Sequence, residues 1–253
     1  MSLREPAFRT GALARHNLML MLREPGPLLS RLILPLVFIT LLRPLYVGAQ
    51  GRTAGTEQAV VATLVTFSLL ALSIVGSAIL TERLGRTWDR LRATSIHPME
   101  MLLGKAVPVF AALLTQQLVI IGFGACVLGL RVAHPILLLG VLLCWSCTLL
   151  GLGALVGVVV RSMGELSASY DIGGMLLSSL GGALVPLSAL PHWVAGVAPI
   201  SPGYWAVRGL HAALAGDTHT AAAACGVLLG LALGCSALAS VRLRGRSGRL
   251  VTL

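Results

Sequence analysis

The chain has 253 residues, 56% of them hydrophobic and 11% charged, with a mean hydropathy of +0.89. Soluble domains carry about 25% charged residues, so a water-covered globule of ordinary surface is excluded, and the long apolar blocks exclude a β-barrel, which would alternate over ~10-residue segments. The formal charge of +10 would suit nucleic acid, but aromatics are only 5%; the basic residues cluster between apolar blocks, as positive loops at an anionic membrane surface do.

These observations predict an all-α polytopic membrane protein: one transmembrane domain over 1–253, with six spans between 28 and 241. It begins with an amphipathic cytoplasmic segment over 1–27. There Phe8, Leu13, Leu18, Met19 and Leu22 alternate at helical spacing with Arg9, Arg15 and Arg23, which suits a helix lying in the interface. The segment lacks the short apolar core and cleavage site of a signal peptide. Span one, roughly 28–47, holds Pro35, with Arg31 and Arg43 near its ends, where both can snorkel. Span two covers roughly 58–80 and is followed by a charged segment from Thr81 to Pro98. Span three is expected over 101–129, span four over 136–160, span five over 167–187 and span six over 220–241. The stretch Pro186–Leu214 is apolar but broken by Pro186, Pro191, Pro199 and Pro202. It reads as short re-entrant or interfacial helices, with Trp193, Tyr204 and Trp205 at headgroup depth. A basic tail, 242–253, closes the chain.

Arg4, Arg9, Arg15 and Arg23 precede span one; Arg83, Arg86, Arg90, Arg92 and Lys105 follow span two; Arg161 follows span four; Arg242, Arg244, Arg246 and Arg249 follow span six. The opposite side holds Arg52, Arg131 and Arg208. The positive-inside rule therefore puts both termini in the cytoplasm.

Chemistry-bearing motifs are few. Met99-Glu100-Met101-Leu102-Leu103-Gly104-Lys105-Ala106 approaches a phosphate-binding loop, but Met99 replaces its first glycine and Ala106 its magnesium-binding hydroxyl. No ATP or magnesium is expected on this chain. The histidines show no metal spacing, and no serine stands in a nucleophile elbow. Cys144 and Cys147 have C-x-x-C spacing but sit inside an apolar block, where small packing residues are the simpler reading. Gly153 and Gly157 in span four, and Gly226, Gly230 and Gly234 in span six, form small-residue stripes that suit helix packing, within the chain or across a dimer. Asp171 falls inside span five, where an unpaired carboxylate is costly. Pairing with Arg161 or with Ser167, Ser169 or Tyr170 is one account, and attraction of a cationic substrate is the other.

Glu82-Arg83-Leu84-Gly85-Arg86-Thr87-Trp88-Asp89-Arg90-Leu91 reads either as a solvated loop or as a short helix docking on a partner through Trp88 and Leu91. Here the sequence resembles the ABC-2 family of transporter membrane subunits, including bacterial exporters of the daunorubicin-resistance type. An acid ending span two, then glycine, threonine, leucine, proline and Gly-Lys are matched by Glu82, Gly85, Thr87, Leu91, Pro98, Gly104 and Lys105. Thr87 stands one residue later than in the tightest form. Pro186-Leu-Ser-Ala-Leu-Pro191-His-Trp193, with Pro199 and Ser201-Pro202, resembles the family's connection between spans five and six.

The resemblance implies a permease in a bacterial plasma membrane, working with a second copy or a related permease and with separate ATP-binding subunits that carry ATP and magnesium. It implies that Glu82, Arg83, Gly85, Thr87, Trp88, Asp89, Leu91, Pro98, Gly104 and Lys105 couple to the ATPase, with Arg161 to Glu165 as a second contact. The cargo expected is a hydrophobic or amphipathic small molecule, such as a drug or antibiotic, or a lipid, with Asp171 on its path. An ion-coupled carrier and an intramembrane enzyme are the alternatives from other classes. The first is weakened by the lack of visible internal repeats, the second by Asp171 standing alone at depth.

Overall fold

A computed structural model describes residues 4–23, 25–84 and 98–247. Among these the chain forms ten α-helices joined by turns and two short 3₁₀ pieces. They are α1 (Arg4–Arg23), α2 (Pro25–Gln50), α3 (Arg52–Leu70), α4 (Leu72–Leu84), α5 (Pro98–Cys126), α6 (Pro135–Val159), α7 (Met163–Leu180), α8 (His192–Val197), α9 (Pro202–Ala215) and α10 (Thr218–Ser247). With no strand among the described residues and several lipid-length apolar helices, the protein is an all-α polytopic membrane protein.

Among the described residues, five segments are long and apolar enough to cross a bilayer: Leu29–Gln50, Arg52–Thr81, Ala106–Cys126, Pro135–Val159 and Thr218–Arg242. The expected fifth span corresponds to α7, which is 18 residues long. It falls outside this group because Ser167, Ser169, Asp171, Ser178 and Ser179 dilute its apolar character. Pro35 and Pro44 inside α2 and Pro108 inside α5 do not end their helices; neighbouring elements can re-satisfy the freed carbonyls.

The core is built around α3. Ala59, Val60, Val61, Ala62, Leu64, Val65 and Leu69 are fully buried on all its sides, as an all-round apolar helix requires. α2 turns back onto it at Gly51, whose φ of +82° only glycine adopts freely. A side chain at Gly55 would collide with the Tyr46 carbonyl, so α2 and α3 cross in backbone contact. α3 and α4 form one candidate span, Arg52–Thr81, interrupted at Ala71, whose N–H bonds to the Phe67 carbonyl at 3.0 Å.

Both arginines of span one find acceptors on neighbouring elements. Arg31 Nη2 donates to Ser73 Oγ of α4 at 3.4 Å, and Arg43 donates to Thr56 Oγ1 at 3.1 Å and to the Leu128 carbonyl at 3.5 Å.

Helix directions follow from close approaches. Cβ atoms placed on Gly153 and Gly157 of α6 would lie 2.6 Å from Val75 Cβ and 2.9 Å from the Gly76 carbonyl oxygen of α4. Residue numbers rise together, so α4 and α6 run parallel. Thr148 Oγ1 donates to the Leu228 carbonyl at 2.8 Å, and a Cβ on Gly151 would stand 2.7 Å from the Ala232 oxygen, so α10 runs parallel to both. At the start of α5, a Cβ on Gly104 would meet Leu13 Cβ of α1 at 2.7 Å, and Asn17 Nδ2 donates to the Gly104 carbonyl at 3.2 Å.

One end of the bundle therefore gathers α1, the end of α4, the start of α5, the α6–α7 turn and the end of α10. Exposed Arg15, Arg161 and Arg242 stand there, and it is called the basic end below. The opposite end holds the α2–α3 turn, the 127–134 loop, residues 181–201 and α9.

Gly226, Gly230 and Gly234 have no atom of the described residues within 4 Å of where a Cβ would stand, so they pack on none of these. α10 packs instead through Ala221, Ala224, Leu228, Ala232 and Ala239. That row is offset from the glycines by two residues, about 200° around a helix.

Candidate functional site

The expected coupling segment spans the gap between α4 and α5. Glu82 and Arg83 belong to the last turn of α4, and Pro98 opens α5. Gly85, Thr87, Trp88, Asp89 and Leu91 lie outside the described residues. Gly104 has a structural task visible in its geometry, since it lets α1 cross α5 at backbone distance. Lys105 follows it in the same helix.

The Arg161–Glu165 turn lies at the same end, because α6 runs parallel to α4. It is a helix start. Ser162 Oγ accepts from the Glu165 N–H at 3.2 Å, and Glu165 Oε2 accepts from the Arg161 N–H at 2.7 Å, a reciprocal cap related to the capping box. The Glu165 carboxylate is therefore occupied in ordering the first turn of α7, while the exposed Arg161 side chain stands at the surface.

On α7 the buried residues are Leu166, Tyr170, Gly174 and Ser178, every fourth position. Tyr170 donates to the Gly153 carbonyl of α6 at 3.3 Å, and its ring fills the notch left by Gly76 of α4. Asp171 lies on the outward face with Ile172, Met175 and Leu176, all exposed. Of its expected partners, Tyr170 faces inward and Ser169 donates to the Glu165 carbonyl at 2.7 Å. Arg161 precedes Asp171 by ten residues, about 15 Å along a helix. Among the described residues Asp171 makes no ion pair.

The opposite end carries a polar cluster that sequence reading passed over. His211 of α9 sits between two side chains of α3, with Nδ1 2.6 Å from Glu57 Oε1 and Nε2 3.1 Å from Gln58 Oε1. Gln58 Nε2 donates to the carbonyls of Ala183 at 2.8 Å and Gly182 at 3.3 Å, in the turn after α7. Gly182 has φ +77°, which lets that turn present both carbonyls inward. The Tyr46 hydroxyl of α2 donates to the Leu184 carbonyl. Ser201 Oγ caps α9 by accepting from Gly203 N–H at 3.2 Å and donates to the Leu177 carbonyl at 2.8 Å.

Beside the cluster lies a cavity of about 500 Å³, lined by Gln58, Leu187, Tyr204, Arg208, His211 and Asp217 among others. Arg208 donates to the Tyr204 hydroxyl at 3.2 Å and lies 5.8 Å from the Trp205 ring centre, within cation–π range. Hydrogen bonds from the Thr220 side chain and backbone hold the Asp217 carboxyl below the usual carboxylate range. Apolar walls with a few ionisable groups suit an amphipathic molecule better than a small ion. Both nitrogens of His211 face a carboxylate and an amide, and neither faces a hydroxyl or thiol it could activate.

Glu57 and Gln58 were visible in sequence as polar residues opening an apolar block. Their partner lies 154 and 153 positions away, beyond the reach of any local pattern.

No curated protein matches the chain. The profile of the ABC-2 type transporter family matches residues 9–215, from the interfacial helix to the end of α9. The chain belongs to the ABC-2 type transporter family, as a membrane-spanning component of an ABC transporter.

Proposed function

We propose that the protein is the permease subunit of an ATP-driven exporter that moves a hydrophobic or amphipathic small molecule, such as a drug or antibiotic, or a lipid. ATP and magnesium are held by a separate ATP-binding subunit, and the permease works beside a second copy or a related one in a bacterial plasma membrane. The observation that carries the reading is the basic end. It brings together the ends of α4 and α5, which bracket Glu82–Pro98, the Arg161 turn, and α1 crossing Gly104. By the positive-inside rule this end is cytoplasmic, the side on which ATP is available. A partner docking there would push on α4, α5 and the α6–α7 turn at once.

Pull-down of the tagged chain from mild detergent tests it. Co-purification of a P-loop ATPase, lost when residues 82–98 are scrambled, is the expected result. An intact association after scrambling removes the coupling role from that segment, and no ATPase at all removes the reading.

Asp171 supports a cargo path along the outward face of α7, since a carboxylate among Ile172, Met175 and Leu176 requires water, a partner or a cation. Asp171→Asn is expected to weaken export of cationic more than of neutral cargo, read as the ratio of the two resistances in cells. An unchanged ratio removes Asp171 from the path.

A further inference from the structure

We propose that His211, Glu57 and Gln58 form a proton-binding latch in which the His211–Glu57 contact between α9 and α3 holds only while one shared proton is present. The argument is a count of donors. Gln58 Nε2 faces two carbonyls, Ala183 at 2.8 Å and Gly182 at 3.3 Å. Carbonyls can only accept, so the amide is held with Nε2 towards them and Oε1 towards His211. Oε1 also only accepts, so His211 Nε2, 3.1 Å away, carries a hydrogen. A neutral imidazole has one N–H; with it on Nε2, Nδ1 is a bare lone pair. That lone pair stands 2.6 Å from Glu57 Oε1, where two acceptors would repel. A further proton therefore lies between Nδ1 and Oε1. It belongs either to an imidazolium facing a carboxylate or to a carboxylic acid facing a neutral ring.

The familiar arrangement, a neutral Nδ1–H ring oriented by a carboxylate, is the one this geometry excludes, and Gln58 is the reason. Loss of the proton as pH rises sets the Glu57 carboxylate against the Nδ1 lone pair, so the contact opens. Gln58 keeps its bonds to the Gly182–Ala183 turn and to His211 Nε2–H, so one of the two side-chain ties from His211 to α3 is lost. The charged and titratable groups on the surrounding elements have other engagements or lie at the rim. Arg43 of α2 bonds to Thr56 and to the Leu128 carbonyl, Tyr46 to the Leu184 carbonyl, Arg208 to Tyr204, and Asp217 to Thr220. Arg52 is exposed at the start of α3, and His134 packs against Gly216. The latch stands on these contacts alone and does not require the transport reading.

Nitrogen NMR of the full chain in nanodiscs, labelled with ¹⁵N-histidine, tests it at neutral pH, with the His211 signals identified by their loss in His211→Asn. The expected result is a protonated Nε2, accompanied either by a protonated Nδ1 or by a protonated Glu57 carboxyl in the carbon spectrum. A neutral ring carrying its hydrogen on Nδ1, or a neutral ring beside an ionised Glu57, overturns the proposal.

Thermal unfolding gives a second readout that does not depend on the His211 variant folding. Glu57→Gln supplies an amide that can donate to Nδ1 without any extra proton. The wild-type midpoint is expected to fall by about 2–4 °C more than that of Glu57→Gln between pH ~6 and ~9. Equal pH dependence of the two proteins sinks the latch.

Discussion

Tyr170 and Gly76 show how much one residue can decide in this molecule. A Cβ on Gly76 would overlap the Tyr170 hydroxyl, itself bonded to the Gly153 carbonyl. Gly76→Ala is therefore expected to destabilise by roughly 1–3 kcal/mol, the usual cost of overpacking. Tyr170→Phe in the same chain should recover part of that loss, because the atom in collision is the hydroxyl and the two positions are coupled. Gly230→Ala, with open space at its Cβ position, should be near neutral or slightly stabilising, since alanine is the better helix former. Thermal unfolding in detergent ranks the three, and a Gly230→Ala loss as large as that of Gly76→Ala would contradict the assignment of faces. Both glycine stripes were legible in sequence, but which one the fold uses was not. That choice depends on the rotation of each helix about its axis, and an all-round apolar helix gives no moment from which to read it.

Among the elements, α7 departs furthest from a plain span. Its serines and Asp171 lower its hydropathy, and at the basic end a cap adds to the burial of Leu166 in ordering its first turn. Ser162→Ala removes the acceptor for the Glu165 N–H and should cost about 1 kcal/mol, seen as faster amide hydrogen exchange confined to the first turn of α7. Uniform exchange across the helix would mean that the cap does not order that turn. The cap was present in sequence as Ser162-Met163-Gly164-Glu165, the spacing of a capping box. Resemblance assigned the same residues to a partner contact, and the bonds give Glu165 a local task. The apolar blocks placed the helices well because each is long enough for its pattern to stand alone. The break at Ala71 had no such signal, since neither proline nor glycine marks it. Pro35, Pro44 and Pro108 do not end their helices, because inside a packed bundle neighbours can satisfy what proline leaves open.

Over the whole molecule, the two ends differ in how far sequence alone reveals them. The basic end could be read from charge alone, because arginine clusters between apolar blocks are a one-dimensional signal. The opposite end could not. Glu57, Gln58, His211 and the Gly182–Ala183 carbonyls come from three separate stretches of chain and meet only after α3, α7 and α9 have packed.

The buried row on α7 links the two ends mechanically. Leu166, Tyr170, Gly174 and Ser178 recur every four residues, whereas a helix turns once in about 3.6. Each step along the row therefore advances about 6 Å and rotates about 40°, so the contact line winds around the helix as a thread winds around a bolt. For α7 to slide against its neighbours it must also turn, and the Tyr170 hydroxyl seated in the Gly76 notch is a pin through that thread. With the pin in place, α7 is expected to move as a rigid rod between the basic end and the Gly182–Ala183 turn; without it, a displacement along the helix would carry a twist.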